Sequence, residues 1–340
     1  MCTGLFIPSD DGQIYQSRTL EFETVMTFQK YISNNIIGIV INGNTFLDGL
    51  NNHGLCAMAF YFLCDNSYNP VSLVNKTNLA SYEVVGYFLN NATSVDDVIL
   101  LSPSINITQQ AFGPPFNSVV PLHWFISDKS GKTIIVEAVN GALTCYDNTT
   151  YKVCTNNPTY PEQVSALQTL ISSNNFSYCN PPNSNCGLGK GLIGMPGDSS
   201  SSSRFQRAYL LSQGMIIPGY NTNNINTMFH FNNNFDIVYG TVQDCTTTPP
   251  SYDFTQYTVV YDLINLTAYY RTYDNQTIML LGKIMLLGKL NIQQPRQYQP
   301  YLQPMSKLGT TNRTWGAISV GVNGMGSASR IFKFLKRNNQ

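Results

Sequence analysis

The second residue of the chain is a cysteine, and its place beside the amino terminus gives it a chemistry that an internal cysteine lacks. If Met1 is removed, Cys2 carries both a thiol and a free α-amine. An α-amine has a pKa of about 7.7–8.0, so part of it is unprotonated and basic at neutral pH. Such an amine takes the proton of its own thiol, directly or through water, and activates its own nucleophile. The alternative, on position alone, is that Cys2 is an ordinary buried cysteine near the terminus.

The other residue types that often do chemistry do not form a site by spacing. His53, His123 and His230 lie far apart, and no two of the eight cysteines stand at C-x-x-C spacing, which disfavours a zinc site. Residues 189–194 fit the pattern G-x-G-x-x-G, but the prolines around them argue against a dinucleotide-binding loop. We therefore expect neither a metal nor an organic cofactor.

The composition excludes several classes of partner. Charged residues make up 11% of the 340 residues, less than half of the ~25% that is usual in soluble domains. Nineteen Lys and Arg residues balance nineteen Asp and Glu residues, so the formal charge is zero. A nucleic-acid binder needs a basic surface, and an anionic membrane attracts one, so we expect neither partner. The hydrophobic fraction of 43% is ample for a buried core.

The amino terminus has no basic segment followed by a long apolar run, so the sequence as written predicts no signal peptide and a cytoplasmic protein. The alternative is a secreted, periplasmic or vacuolar protein in which Met1 replaces a removed signal peptide. No stretch reaches about 18 uninterrupted apolar residues, so we expect no transmembrane helix. Cys179 and Cys186 flank a loop rich in Pro and Asn, where a disulfide and two free thiols are both open.

The elements that must position these residues are mostly strands. Alternating patterns bounded by turn residues predict strands at residues 3–7, 13–22, 38–41, 45–47, 54–62, 124–127, 133–139, 143–146, 258–262 and 268–273. Turns are predicted at Asp11-Gly12, Asn42-Gly43, Asp48-Gly49, 128–131 and Asn140-Gly141. The hexapeptide Ile-Met-Leu-Leu-Gly-Lys, written at 278–283 and again at 284–289, is interpreted as a local duplication that lengthens one element.

Helices are predicted between these strand blocks, at residues 81–90, 94–101, 161–172, 203–213 and 223–231. Ser81 and Ser94 are expected to be amino-terminal caps. Strands followed by helices and then strands, without regular alternation, indicate an α+β fold with antiparallel sheets and helices packed outside them.

Several segments, taken in order, resemble one family. They are Cys2-Thr3-Gly4, Arg18-Thr19-Leu20-Glu21, Thr77-Asn78-Leu79, Asp128-Lys129-Ser130-Gly131 with Ile135-Val136-Glu137, Thr155-Asn156-Asn157-Pro158, Gly194-Met195-Pro196-Gly197-Asp198 with Ser203-Arg204-Phe205, and Tyr269-Tyr270-Arg271. Together they resemble the choloylglycine hydrolase and penicillin V acylase family over about residues 2–280. The resemblance implies an N-terminal-nucleophile hydrolase with an αββα sandwich of two antiparallel sheets between helical layers. It also implies one amide-hydrolase domain over 1–290. Residues 291–340 lie beyond the resemblance, and we expect them to be a carboxy-terminal extension of unknown role packed on the same domain.

The resemblance implies a role for each matching residue. Cys2 is the nucleophile and, through its amine, the base. Arg18 lies beside the thiol and favours the thiolate form. Glu21 stands where many members carry Asp, and its carboxylate is expected to hold the α-amine, although its longer side chain shifts its reach.

The remaining roles concern the oxyanion and a second arginine. The backbone N–H of Asn78 and the side-chain amide of Asn156 match the two donors of the oxyanion hole. Arg204 matches the second active-site arginine, and Arg207 is the nearby alternative.

The implied reaction is hydrolysis of a linear amide through a thioester on Cys2. The substrate is a small acyl amide, such as a conjugated bile salt, penicillin V or an N-acyl homoserine lactone. Candidate residues for the apolar acyl pocket are Leu20, Phe22, Phe60, Phe62 and Tyr82. The alternatives are a lipid-amide hydrolase resembling acid ceramidase or N-acylethanolamine amidase, and a non-catalytic protein that keeps the fold. The family often forms tetramers, so a homo-oligomer is possible, although residues 173–193 differ from the usual helical extension.

Overall fold

The computed structural model of the chain describes residues 1–10, 12–114, 116–179, 191–216, 224–285 and 303–304. The chain divides into one unit over Met1–Ser306 and a second over Lys307–Gln340, and the second lies outside the described residues. Most of the predicted extension at 291–340, most of the second hexapeptide copy and Cys186 also lie outside them. The elements described below all belong to the first unit.

The described part of the chain forms seventeen strands. They are β1 Cys2–Pro8, β2 Ile14–Phe22, β3 Gln29–Ile32, β4 Ile36–Ile41, β5 Thr45–Asn51, β6 Leu55–Tyr61, β7 Thr77–Ala80, β8 Ile105–Thr108, β9 Leu122–Asp128, β10 Thr133–Val139, β11 Ala142–Asp147, β12 Val153–Cys154, β13 Val242–Asp244, β14 Ser251–Asp262, β15 Thr267–Thr272, β16 Met279–Lys283 and β17 Gln303–Pro304.

Five α-helices lie in the same described residues: α1 Val84–Asn91, α2 Val95–Leu101, α3 Tyr160–Ser173, α4 Ser201–Gly214 and α5 Asn224–Asn232. Three of them begin at hydrogen-bonding caps that the local sequence provides. Ser94 Oγ accepts the Asp97 N–H at the start of α2, and Ser200 Oγ accepts the Ser203 N–H at the start of α4. Helix α3 begins with a capping box, in which Thr159 pairs with Glu162.

The strands form two large antiparallel sheets. The first runs in the order β12-β1-β2-β14-β15-β16, with β13 beside β14, and the second in the order β11-β10-β9-β6-β5-β4-β3-β17. A small parallel pair, β7 and β8, stands apart. Helices α4 and α5 pack on the first sheet, and α1 and α2 pack on the second. The result is the αββα sandwich that the family resemblance implied.

Two hydrophobic cores hold these layers together. One contains inward residues of both sheets, among them Phe6, Ile39 and Phe125, and the other lies between the second sheet and helices α1 and α2, around Phe88 and Trp124. Successive strand residues point to opposite faces, and β4, which is covered on both sides, is apolar throughout.

The predicted strands are all present, and two local predictions are wrong. Asp48-Gly49 is not a turn, because both residues are buried inside β5. Ser81 does not cap α1, because a short 3₁₀ turn precedes the helix and Ser81 Oγ donates to the Val120 carbonyl instead. The turn at Asn42-Gly43 is confirmed, and both residues have the positive φ that a tight hairpin needs.

Candidate active site

The first hairpin places a thiol against a guanidinium. Strands β1 and β2 pair antiparallel, with Cys2 opposite Leu20 and Gly4 opposite Arg18. Cys2 and Arg18 are therefore diagonal neighbours on one face of the sheet, a position from which a long side chain reaches its neighbour. The Arg18 Nη2 atom lies 2.7 Å from the Cys2 Sγ atom, and both residues are buried.

Gly4 makes room for the support beneath Arg18. A Cβ atom at this position would lie 2.7 Å from Cζ of Phe60, closer than real Cβ contacts. The Phe60 ring in turn faces the guanidinium, with its centroid 4.5 Å from Cζ of Arg18. A cation is attracted to an aromatic face. Because Gly4 has no side chain, the Phe60 ring can lie close to the strand and contact the Arg18 guanidinium.

The rest of the guanidinium is held by acceptors of the second sheet. The Arg18 Nη1 atom donates to the Ala59 carbonyl at 2.6 Å and lies 3.7 Å from Oδ2 of the buried Asp48. Asp48 also accepts hydrogen bonds from the hydroxyls of Tyr257 and Tyr261, the second at 2.6 Å. Burial alone would lower the pKa of Arg18, but nearby acidic groups, with Cys2 contributing most, raise it, and the net change is upward. The guanidinium is charged at every accessible pH.

Asn156 lies against the backbone nitrogen of the cysteine. Its Oδ1 atom accepts from the Cys2 N–H at 2.8 Å, and its Nδ2 atom donates to the Tyr61 carbonyl at 2.7 Å. One Nδ2 hydrogen remains after that bond, since an amide NH₂ carries two.

Arg204 joins the same cluster from helix α4. Its Nη2 atom donates to Asn156 Oδ1 at 2.7 Å, and Nη1 donates to the Cys2 carbonyl and, at 2.8 Å, to Thr3 Oγ1. Burial lowers the pKa of Arg204, while the charges of Glu21 and Cys2 oppose that change. The alternative, Arg207, donates to the carbonyls of Pro196 and Asp198. Within the described residues it donates no hydrogen bond to the cluster around Cys2.

Glu21 is buried in β2 one residue beyond Leu20, so its side chain starts from the sheet face opposite to that of Arg18. Its Oε1 atom accepts from the Thr255 hydroxyl at 2.9 Å, and Oε2 has no hydrogen-bond partner among the residues with described positions. Burial raises the pKa of the Glu21 carboxyl, and the amino-terminal charge opposes the rise. With Met1 in place, the backbones of Met1 and Glu21 pair, at 2.7 Å and 2.8 Å.

The structure does not bring the Asn78 side chain to the thiol. Asn78 is exposed on β7, and its Oδ1 accepts from the Leu73 N–H at 2.8 Å and from Asn106 at 2.7 Å. Its expected role concerned the backbone N–H, so that role stays a prediction.

An apolar pocket opens over Cys2 and Arg18. It measures about 600 Å³, including the part open to solvent. Its lining is largely aliphatic and aromatic, and includes Leu20, Phe22, Met26, Ile41, Phe46, Leu47, Tyr61, Tyr82, Phe112, Phe116, Val120 and Leu122. Three of the five predicted pocket residues, Leu20, Phe22 and Tyr82, are therefore on its wall.

Phe60 and Phe62 are not on that wall, and we correct their assignment. Both are fully buried, Phe60 under Arg18 and Phe62 stacked on His123 with ring centroids 4.4 Å apart. The pocket residues of this stretch are Ala59 and Tyr61. The Phe60 side chain is on the face of β6 toward the first sheet, but the Arg18 guanidinium covers its ring.

Comparison with known proteins identifies the family of the chain. A family model described as linear amide C–N hydrolases, choloylglycine hydrolase family, matches residues 2–295. The chain belongs to the choloylglycine hydrolase family. It is accordingly a hydrolase of linear amide C–N bonds.

The relatives of this hydrolase include viral and bacterial proteins. An uncharacterized protein of Paramecium bursaria Chlorella virus 1 is 38% identical over 285 residues, which are 83% of this chain and 100% of that protein. The bile salt hydrolase/transferase of Clostridium perfringens is 31% identical over 282 residues, 81% of this chain and 82% of that one. A crystal structure of the C2A mutant of the conjugated bile acid hydrolase from Clostridium perfringens has a TM-score of 0.73 and 27% identity, covering 90% of this chain and 97% of that one.

Sequence reasoning misses part of the hydrolase's charge network. Asp-Gly is a common turn dipeptide, which is why the pattern predicts a turn at Asp48, and Tyr257 lies just before the predicted strand 258–262. The residues on both sides of Asp48 are apolar or aromatic, which is unusual for a solvent-exposed turn and indicates that Asp48 is buried.

None of the described helices has the length and apolar character of a membrane span. No described cluster of three or more His, Cys, Asp or Glu residues could hold a metal. The seven cysteines with described positions are free thiols, and Cys179 among them is exposed.

Proposed function

We propose that this hydrolase cleaves linear N-acyl amides with Cys2 as its nucleophile, once Met1 has been removed. The observation that carries the proposal is the 2.7 Å contact between Arg18 Nη2 and Cys2 Sγ at the base of an apolar pocket. A fixed guanidinium favours a thiolate, which is the reactive form of cysteine. The low-dielectric surroundings strengthen that interaction.

The free amine of Cys2 is the base in this proposal. While Met1 is attached, the Cys2 nitrogen is a peptide N–H that donates to Asn156. Removal of Met1 turns it into an amine at the same place, where Asn156 Oδ1 can still accept one of its hydrogens. The removal also takes away the Met1 ammonium, which donates to the Glu21 carbonyl, and leaves Glu21 as the one acidic residue of β2.

The proposed reaction proceeds in two balanced steps. The thiol proton passes to the amine, the sulfur attacks the amide carbonyl, and the resulting ammonium returns the proton to the departing nitrogen. The acyl group is then a thioester on Cys2. The amine next takes a proton from water, the hydroxide attacks the thioester, and the carboxylic acid leaves as the thiol is restored.

Asn156 and Asn78 are proposed to stabilise the oxyanion of both steps. Support for Asn156 comes from its contact with the Cys2 nitrogen and from the second Nδ2 hydrogen, which the bond to the Tyr61 carbonyl does not use. Each well-aimed donor contributes about 3–4 kcal/mol to such a transition state. Arg204 is proposed as a positioning residue, because it contacts the Cys2 carbonyl and Asn156 rather than the sulfur.

The pocket indicates the acyl half of the substrate. Its wall is almost entirely apolar, so the acyl group it accepts is aliphatic or aromatic, and burial of each methylene contributes about 0.8 kcal/mol. Relatives named as bile salt hydrolases and a penicillin V acylase of Pectobacterium atrosepticum fit that description, and conjugated bile salts, penicillin V and N-acyl homoserine lactones are the first substrates to try. N-acylethanolamines and ceramide-like amides represent the lipid-amide alternative.

The experiment is a panel of these amides with amine release as the readout. Cys2→Ala is expected to abolish release, and Cys245→Ala, which changes an exposed cysteine away from the pocket, is expected to keep it. Equal activity in the Cys2→Ala and parent proteins would refute the nucleophile. Absence of any amide cleavage by the parent protein, with Met1 shown to be removed, would favour a non-catalytic role.

A further inference from the structure

A buried histidine–glutamate pair lies behind the active site and has no part in the reaction described above. His123 is on β9 and Glu137 is on the neighbouring β10, and their exposed fractions are 2% and 0%. The Nδ1 atom of His123 lies 3.3 Å from Oε1 of Glu137. Burying two ionisable groups is costly unless each is paired, so the pair calls for a physical explanation.

Both members reach the segment that carries Asn156. The Nε2 atom of His123 lies 2.9 Å from the Thr155 carbonyl oxygen, one residue before Asn156. Glu137 Oε1 accepts from the Tyr160 N–H at 2.9 Å, at the first residue of helix α3. The pair therefore holds both ends of the segment 155–160, and Asn156 lies between the two contacts.

The hydrogen-bond partners determine where the protons are. A carbonyl oxygen only accepts, so His123 Nε2 must carry a hydrogen toward Thr155. The Nδ1 atom faces Oε1 of Glu137, which already accepts from the Tyr160 N–H, so one hydrogen lies between Nδ1 and Oε1. With that hydrogen on Nδ1, His123 is an imidazolium paired with an ionised Glu137.

The other groups around the ring are compatible with this charge. Phe62 stacks on the imidazole face at an interplanar angle of 5°, and Phe60 meets it edge-on. Cys154 Sγ lies 3.8 Å from Nε2, and burial raises the pKa of that thiol, which stays neutral. Tyr160, whose hydroxyl bonds to Asn148, is neutral too, since burial raises its pKa.

We propose that the His123–Glu137 ion pair is a positioning device, which fixes segment 155–160 and thereby holds Asn156 against Cys2. The expected effect on kcat rests on the proposed function of Asn156, whereas the ion pair and its contacts with segment 155–160 do not. Because neither residue lines the pocket, loss of the pair lowers kcat and leaves KM nearly unchanged. A displacement of about 1 Å in a catalytic group costs about 100-fold, so a fall of about 10- to 100-fold in kcat is expected.

The charge state is tested first, on protein that needs no substrate. His53 and His230 are exposed, so the double variant His53→Gln/His230→Gln leaves His123 as the sole histidine. With ¹⁵N-labelled histidine at neutral pH, both ring nitrogens of His123 are expected to show a bonded hydrogen, since each faces an acceptor. A ring with one unprotonated nitrogen would overturn the proposal.

The kinetic test uses Glu137→Gln, with the double histidine variant as the control. The control is expected to keep the parent kcat. Glu137→Gln is expected to lose one ring proton at neutral pH and about 10- to 100-fold in kcat. An unchanged kcat would overturn the positioning role, and if Glu137→Gln does not fold, the ¹⁵N spectrum still decides the charge state. Failure of the parent protein to cleave any amide would refute the proposed function and leave that spectrum unaffected.

Discussion

Removal of the Arg18 guanidinium is expected to leave Asp48 as an unpaired buried carboxylate. Asp48 is fully buried, its carboxylate lies 3.7 Å from Arg18, and its other partners are the hydroxyls of Tyr257 and Tyr261. Breaking a buried ion pair by removing one partner costs about 3–5 kcal/mol of folding free energy. Because two hydroxyl donors remain to Asp48, we expect Arg18→Met to fall at the lower end of that range.

The loss is expected to depend on pH in a definite direction. Burial already raises the pKa of Asp48, and Arg18 opposes the rise. Folding raises the pKa of this carboxyl, so the native state binds its proton more tightly than the unfolded state does. The carboxyl therefore destabilises the native state increasingly as the pH rises from its unfolded pKa to its folded pKa. Without Arg18 the folded pKa moves higher, and the stability deficit of Arg18→Met is expected to shrink as the pH falls from about 8 to about 5.

Urea unfolding at several pH values measures this deficit. Arg271→Met is the matched control, since Arg271 pairs at 2.8 Å with Asp236, whose side chain is 32% exposed and keeps water as a partner. The double variant Arg18→Met/Asp48→Asn is expected to be less destabilised than the sum of its single variants by about 0.5–3 kcal/mol. A deficit no larger than that of Arg271→Met, or one that does not change with pH, would refute the buried-pair reasoning.

Three individual contacts lead to further predictions. Gly4→Ala is expected to lower the free energy of unfolding by about 1–3 kcal/mol, because the new Cβ overpacks against Phe60. An unchanged midpoint of urea unfolding would contradict this. Asn156→Asp is expected to lower kcat by about 100- to 1000-fold, because a carboxylate has no hydrogen for an oxyanion, and activity within about tenfold of the parent would exclude Asn156 as a donor. Tyr261→Phe is expected to cost about 1.5–3 kcal/mol, the range for a hydrogen bond to a charged acceptor such as Asp48, and a loss below about 0.5 kcal/mol would show that this bond contributes little.

Much of the fold is predictable because strand alternation and turn dipeptides are local signals. The β1–β2 hairpin is an example, since its pairing alone makes Cys2 and Arg18 diagonal neighbours. Short strands with weak patterns, such as β3 and β16, are not predicted, because their pairing partners rather than their own residues decide them.

The site is predictable as far as family motifs reach. The structure brings Cys2, Arg18, Asn156 and Arg204 together, although these residues are separated by up to 202 positions. The apolar neighbours of Asp48 indicate that it is buried but do not identify its partner, because nothing local shows that the carboxylate faces a buried arginine of another sheet. The place of Phe60 beneath Arg18 is equally hidden, since nothing in the sequence of β6 shows which residue of the first sheet covers the ring.

The central claim is that Cys2, freed of Met1, carries the acyl group, and trapping that group tests it most directly. The active hydrolase would be mixed with a cleavable acyl amide, quenched in acid within one turnover, and measured by intact mass and fragmentation. We predict a chain lacking Met1 whose first residue carries the acyl mass, with the adduct released by hydroxylamine as a thioester is. Full activity in a preparation that retains Met1, or an acyl adduct on any other residue, would contradict the account.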